Sequence, residues 1–240
     1  MERAPVMPVL VAVLFAAACG GGDGPTEADA RPSVRFVNAT TGSGSGGFTI
    51  NGQFAAGSAL VPGQAMQTCS KVDPGTTIFG FGAANTSGTG LSGNPIVTSN
   101  NETIAAGGRY IVVATGSATN PSLLVFSSTL SSELGADQAG LRFANFVPNT
   151  GTTVYNYVFY RGAFAGGASP LAINVPFGGI STFSIVPSGA TTFSVLQVPG
   201  HNILIDGGSP ATLQGGSVNT MALVPNASGG LQLIHLPRCS

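Results

Sequence analysis

Beyond about residue 33, hydrophobic and polar positions alternate along most of the chain. In Ser33 to Ala39, Val34 and Phe36 fall on one face and Arg35 and Val37 on the other, the two-residue period of a β-strand. Runs of β-branched, aromatic and apolar residues recur at Tyr110 to Thr115, Leu123 to Ser127, Thr153 to Arg161, Phe183 to Val186, Thr191 to Val198 and Ser217 to Val224. Gly, Pro, Asn and Ser clusters bound them at the spacing of all-β sandwiches. Asn51-Gly52 separates Phe48-Thr49-Ile50 from Gln53-Phe54 and predicts a tight hairpin, because such turns need residues that tolerate positive φ. Pro74-Gly75 and Pro187-Ser188-Gly189 mark further turns. The best helical window, Thr129 to Ala139, aligns Leu130, Leu134 and Gln138 and predicts one or two turns at most.

The pattern repeats. Val34-Arg35-Phe36-Val37-Asn38 matches Leu141-Arg142-Phe143-Ala144-Asn145, and Gly75, Thr77 and Phe79 match Gly189, Thr191 and Phe193. Thr103-Ile104 matches Thr212-Leu213, and Leu123 to Phe126 matches Leu231 to Ile234. The matches keep their order with small changes of offset, as loop insertions would produce. They predict two units, 33–131 and 139–240, separated by the short joint 132–138. Each unit is about 100 residues, enough for its own core. The expected architecture is all-β: two tandem immunoglobulin-like antiparallel β-sandwiches.

The first 18 residues read as an address rather than as fold. Arg3 precedes a short apolar run, Val9 to Phe15, and Ala16-Ala17-Ala18 lead to Cys19. That order is a secretory signal, too short to span a bilayer. A cysteine closing the small-residue run resembles the bacterial lipoprotein box, with Ala16 where leucine is usual. The resemblance implies cleavage before Cys19 and a diacylglycerol on its thiol. Residues 19–32 then form a Gly-rich tether. The expected location is the bacterial cell envelope, at the outer membrane, facing the periplasm or the outside. The alternative is a secreted protein cleaved near Ala18.

Composition narrows function by exclusion. The 240 residues include 36 glycines, and 8 basic and 9 acidic residues give a net charge of -1. No basic footprint exists for a nucleic acid. His201 and His235 are the only histidines. His201 lies in a turn with Asp206 nearby, but no serine occupies a Gly-x-Ser-x-Gly elbow. His235 reads as a strand residue. No zinc or calcium spacing is present. Gly88-Thr89-Gly90-Leu91-Ser92-Gly93 has the letters of a dinucleotide loop without the following helix, and reads as plain loop. No catalytic residue, metal or cofactor is expected.

With Cys19 lipidated, Cys69 and Cys239 remain as an even pair outside the cytoplasm, where oxidation is the rule. They predict a disulfide between the units; two free thiols are the alternative. The repeat register sets Cys69 opposite Phe183, on a core strand. One candidate binding surface stands out, in Val154 to Arg161. Alternation separates Tyr155, Tyr157, Phe159 and Arg161 from Val154, Asn156, Val158 and Tyr160. Aligning Arg161-Gly162 with Asn51-Gly52 turns Val158 and Tyr160 to the core. Tyr155, Tyr157 and Phe159 then face outward, suited to stacking on a sugar or packing on a partner. The competing reading is a domain-domain contact or a sheet buried on both sides.

Several of these elements together resemble the domain-of-unknown-function family DUF4397: the opening Val34 to Ala39, the Ile50-Asn51-Gly52 turn, the Pro-(Ser)-Gly turns leading to Thr77 and Phe79, and Gly107 to Ala114. The second unit matches less closely, having Arg161-Gly162 where Asn-Gly would sit. The resemblance implies a bacterial surface or secreted protein, often a lipoprotein with tandem copies, with an immunoglobulin-like sandwich and no established activity. The sequence as a whole points to a non-enzymatic, lipid-anchored envelope protein, structural or adhesive. Its partners would be the membrane through the anchor and an envelope protein or polysaccharide. The alternative is a glycan-binding module.

Overall fold

The computed structural model describes residues 31–42, 44–130, 134–149, 154–164, 169–200, 202–208 and 210–239. Every element among them is a strand. The first half contains β1 (Ser33–Thr41), β2 (Gly46–Ile50), β3 (Gln53–Phe54), β4 (Gln64–Ala65), β5 (Ser70–Lys71), β6 (Gly75–Thr77), β7 (Phe79–Ala83), β8 (Val97–Thr98), β9 (Glu102–Ile104), β10 (Arg109–Ser117) and β11 (Asn120–Ser127). The second contains β12 (Gln138–Asn145), β13 (Asn156–Arg161), β14 (Ala172–Val175), β15 (Ser184–Pro187), β16 (Gly189–Thr191), β17 (Phe193–Val198), β18 (Asn202–Ile205), β19 (Ala211–Leu213), β20 (Ser217–Pro225) and β21 (Leu231–Pro237).

The halves pair their strands in the same way. One sheet runs β11-β10-β1-β4, with β5 also on β1, and its counterpart runs β15-β12-β20-β21. The facing sheets are β3-β2-β7-β8 and β14-β13-β17-β18, and small ribbons join β6 to β9 and β16 to β19. The expectation of antiparallel sheets fails at one pair per half: β1 runs parallel to β10, and β12 parallel to β20. Parallel pairing needs a long crossover, and here almost the whole half lies between the two strands.

Alternation along β1 and β12 supplies two buried faces. Val34 and Phe36 enter one core with Phe48, Phe79, Ile104 and Val112. Leu141 and Phe143 enter the matching core with Phe159, Phe193, Met221 and Leu223. The aromatic packing repeats: Phe36 stacks on Phe48 at 4.7 Å and meets Phe79 edge-on at 6.1 Å. Phe143 stacks on Phe159 at 4.7 Å and meets Phe193 edge-on at 5.7 Å. The other face of each strand joins a third core. Val37, Ala39, Ile111 and Val113 pack against Ala144, Phe146, Ala222, Val224 and Leu236. The molecule is thus a four-layer stack in which the two β1-type sheets lie back to back.

Glycine makes room for the outer cover of the first half. A Cβ on Gly47 would stand 2.6 Å from the Phe54 ring and 3.0 Å from Leu91. Leu91 belongs to the Gly88–Gly93 segment, and Ala84 bridges to it. That segment is a loop, as its sequence predicts, and it lids the sheet.

Candidate functional site: the seam between the halves and its distal cleft

Strand directions define two ends. Ser33 opens β1 beside Arg109, which opens β10. Cys239 follows β21, which returns antiparallel to β20. The start of β1, the start of β12 and the end of β21 therefore share one end, here called basal. The β10–β11 and β20–β21 turns lie at the other, distal end.

Polar and covalent links fasten the seam along its length. At the base, Cys69 and Cys239 form a disulfide with Cα atoms 5.9 Å apart, as the cysteine count predicts. Arg109 Nε donates to the Cys239 carbonyl at 2.9 Å. Cys69 does not sit on a core strand; it immediately precedes the short edge strand β5 and is half-buried. Its register opposite Phe183 holds, since Val34 pairs with Ser70 as Leu141 pairs with Ser184. Higher up, Thr115 Oγ1 donates to the Phe146 carbonyl at 3.0 Å. Gln232 Nε2 donates to the Gly63 carbonyl at 2.7 Å. Gly63 has φ +86°, and a Cβ there would lie 2.8 Å from the Pro225 carbonyl oxygen, so glycine is required for this approach.

Two repeat-related arginines are buried in the same region. Arg35 Nη1 donates to the carbonyls of Met66 at 2.6 Å and Gln67 at 3.2 Å. Arg142 Nε donates to Thr220 Oγ1 at 3.0 Å, and its guanidinium lies 4.7 Å over the Phe183 ring. Burial lowers both arginines, Arg142 to about 10. Carbonyl and π-face partners stand in for a carboxylate. His235 is half-buried with Nε2 2.7 Å from Asn219 Oδ1. It is a satisfied strand histidine, held below its ordinary pKa by burial and then by the Arg35 charge. His201 and Cys19 lie outside the described residues.

The seam opens distally into a cleft of about 370 Å³. The first half contributes Thr41 and Ser117, and the second Pro148, Asn149, Asn226 and Leu231. The turns are fixed by their own side chains. Thr41 Oγ1 donates to the Gly116 carbonyl at 3.3 Å. Ser117 Oγ accepts from Asn120 N at 3.0 Å. Asn226 Oδ1 accepts from Ser228 N at 3.0 Å and from Gly230 N at 2.9 Å. No charged side chain lines the cleft among the described residues. It offers hydroxyl and amide groups beside apolar surface. No single sequence motif signals it, because its wall combines turns far apart in the chain.

The aromatic stripe is corrected by the structure. Tyr157 is 2% exposed and Phe159 0%, and both belong to the core of the second half. Tyr155 is half-buried against that core. Arg161 donates from Nε to Thr191 Oγ1 at 3.0 Å and from Nη2 to the Pro187 carbonyl at 3.3 Å. Val158 and Tyr160 occupy the opposite face, buried with Leu196 under Phe164. The sheet is buried on both sides, and burial raises the Tyr157 pKa, with Tyr155 adding to the rise. The expected register was off by one residue. Ile50 pairs with Phe79 and Arg161 with Phe193. Asn51 N donates to the Ile78 carbonyl at 2.8 Å, and Gly162 N to the Thr192 carbonyl at 2.7 Å. Gly162, with φ +81°, therefore stands where Asn51 stands, with φ +50°. A one-residue slip inverts every side chain of a strand.

Fold and seam together define a protein of paired β-sandwich halves, bonded covalently at the base and open at a distal, uncharged cleft. The chain belongs to the DUF4397 family, a domain of unknown function, whose profile matches residues 32–155, just over half of the chain. No curated protein matches it. Among solved structures it is similar to the tip fimbrial protein Mfa3 from Porphyromonas gingivalis with C-terminal truncation, at 11% identity and a TM-score of 0.26. That likeness covers 87% of this chain and 99% of the other, and it is too slight to carry a shared function. Among the described residues no group of three or more His, Cys, Asp or Glu could hold a metal ion. No helix among them is long and apolar enough to cross a membrane.

Proposed function

We propose that the chain is a non-enzymatic, lipid-anchored protein of the bacterial cell envelope, held at Cys19, with a structural or adhesive role exercised through the distal cleft. The observation that carries this reading is polarity. The described chain begins at the basal end, at Arg31 and β1, while the cleft opens at the opposite end. A tether arriving from a membrane would present the cleft outward. Loops held on a rigid sandwich are a common place for recognition. An uncharged cleft edged with hydroxyls and amides suits a polysaccharide or a polar peptide rather than an ionic ligand. We further infer that the second half is another copy of the same domain, supported by its matching pairing order, with β15 in the place of β5.

The test joins anchor and cleft. Cys19→Ser should abolish palmitate labelling and leave unprocessed precursor. Ser117→Trp should fill the cleft while leaving the fold intact, because Ser117, the last residue of β10, is exposed. Attachment to isolated envelope material should fall at least tenfold in Ser117→Trp. An unlabelled wild type would refute the anchor, and undiminished attachment would refute the cleft.

A further inference from the structure

We propose that the basal end of the seam is an oxyanion site, built by Arg109 and Arg238 for a phosphate-type group. The two arginines come from opposite halves, at the start of β10 and just beyond β21. Both line one cavity of about 360 Å³, together with Ser128, Thr129, Leu130, Leu134, Gly216 and Val218. This goes beyond the functional reading above, which concerns the other end of the molecule.

Three observations support it. The first is the pairing of like charges in a chain with only 8 basic residues. Arg109 is half-buried, and its pKa is lowered by burial and then by the positive charge of Arg238. Two neighbouring guanidinium groups repel each other. The second is the absence of a neutralising partner among the described residues. An ion pair among them joins Arg31 to Asp73 and involves neither of this pair of arginines. Arg109 uses Nε on the Cys239 carbonyl, and no hydrogen bond to a described residue engages its terminal nitrogens. The third is the wall itself. Ser128 is 8% exposed, its backbone N–H donates to the Arg109 carbonyl at 2.6 Å, and it lines the cavity beside the exposed Thr129. Guanidinium forks matched by hydroxyl donors form the chemistry that recognises tetrahedral oxyanions, where planar two-point contacts favour arginine over lysine.

The disulfide contributes to the site. Cys239 is the residue next to Arg238, and its bond to Cys69 holds the end of the second half against the first. The carbonyl of Cys239 in turn orients Arg109. Breaking the disulfide should separate the two charges and weaken the site. A phosphate could arrive as the free ion or as a phospholipid headgroup, since the basal end is also where a membrane-anchored tether would lead. The chemistry of capture is the same.

The experiment titrates the full chain carrying Cys19→Ser with inorganic phosphate, followed by calorimetry and by the thermal midpoint. Binding in the millimolar range or tighter is expected, weakening as chloride is raised. Arg238 is exposed, so Arg238→Gln should fold normally and weaken binding at least tenfold. Arg109→Gln should weaken it as much, and Arg238→Lys should restore only part, because an ammonium lacks the fork. A second arm compares sedimentation with phosphatidylglycerol vesicles and with phosphatidylcholine vesicles. An excess on phosphatidylglycerol that disappears in Arg238→Gln identifies a headgroup as the source; phosphate binding with no such excess identifies the free ion. A flat phosphate titration, meaning that the chain's own carboxylates neutralise the pair, overturns the proposal. So does binding that Arg238→Gln leaves unchanged.

Discussion

Phe159→Ala distinguishes the observed register of β13 from the one-residue alternative. In the structure Phe159 is 0% exposed, stacked at 4.7 Å on Phe143. Truncating a fully buried phenylalanine costs about 3–5 kcal/mol, from lost transfer energy and the cavity left behind. An aromatic pair adds roughly 0.5–1.5 kcal/mol beyond the area term, already part of that range. For a chain of this size each kcal/mol lowers the midpoint by roughly 2–4 °C. The expected fall is therefore on the order of 6–20 °C. Scanning calorimetry is the appropriate assay because two halves need not unfold in one transition. Phe48→Ala is the matched control in the first half, where Phe48 is 0% exposed and stacks on Phe36 at 4.7 Å. The two variants should lose comparable stability. Tyr155→Ser, at a half-buried position, should lose less than either. If Phe159→Ala shifted the midpoint by less than about 2 °C, the buried register would be wrong.

Cys69→Ser and Cys239→Ser should each destabilise the protein to the same extent, and the double variant by little more, because both break one bond. The enclosed loop of 170 residues corresponds to roughly 5 kcal/mol as an upper value in the chain-entropy treatment; additive losses from the two single variants would refute a shared bond. His235 gives a pH signature. Its folded pKa lies below the ordinary 6.5, by burial and then by Arg35. Above pH 6.5 the imidazole is neutral in both states; on acidification the unfolded chain takes up the proton first. Stability should therefore fall as pH drops through 6.5 and level off below the folded pKa. His235→Gln should remove this part of the pH dependence, and an unchanged urea profile against pH would refute the assignment.

Local chemistry in the sequence determined the all-β class, the turns and much of the repeat. Gly75 and Gly189 carry φ of +121° and +115°, and the matched Thr103-Ile104 and Thr212-Leu213 do form equivalent ribbons. The cysteine count, read with Cys19 set aside for a lipid, was enough to expect the Cys69–Cys239 bond. Register was legible only to within a residue or two. Leu123 pairs with Ala114 as Leu233 pairs with Leu223, two residues from the alignment by sequence, a slip that preserves the faces of the strand. At β13 the slip was one residue, and the faces inverted. A glycine and an asparagine can both occupy a left-handed turn position, so Arg161-Gly162 offered no unique alignment with Asn51-Gly52. Which faces are buried was decided by tertiary packing. Alternation in β1 marks two faces but does not say that the second, with Arg35 and Val37, meets another sheet. Once the halves stack back to back, Arg35 and Arg142 are drawn inside, and turns about a hundred residues apart close the distal cleft. Local pattern specifies strands; only long-range contact specifies what each strand is pressed against.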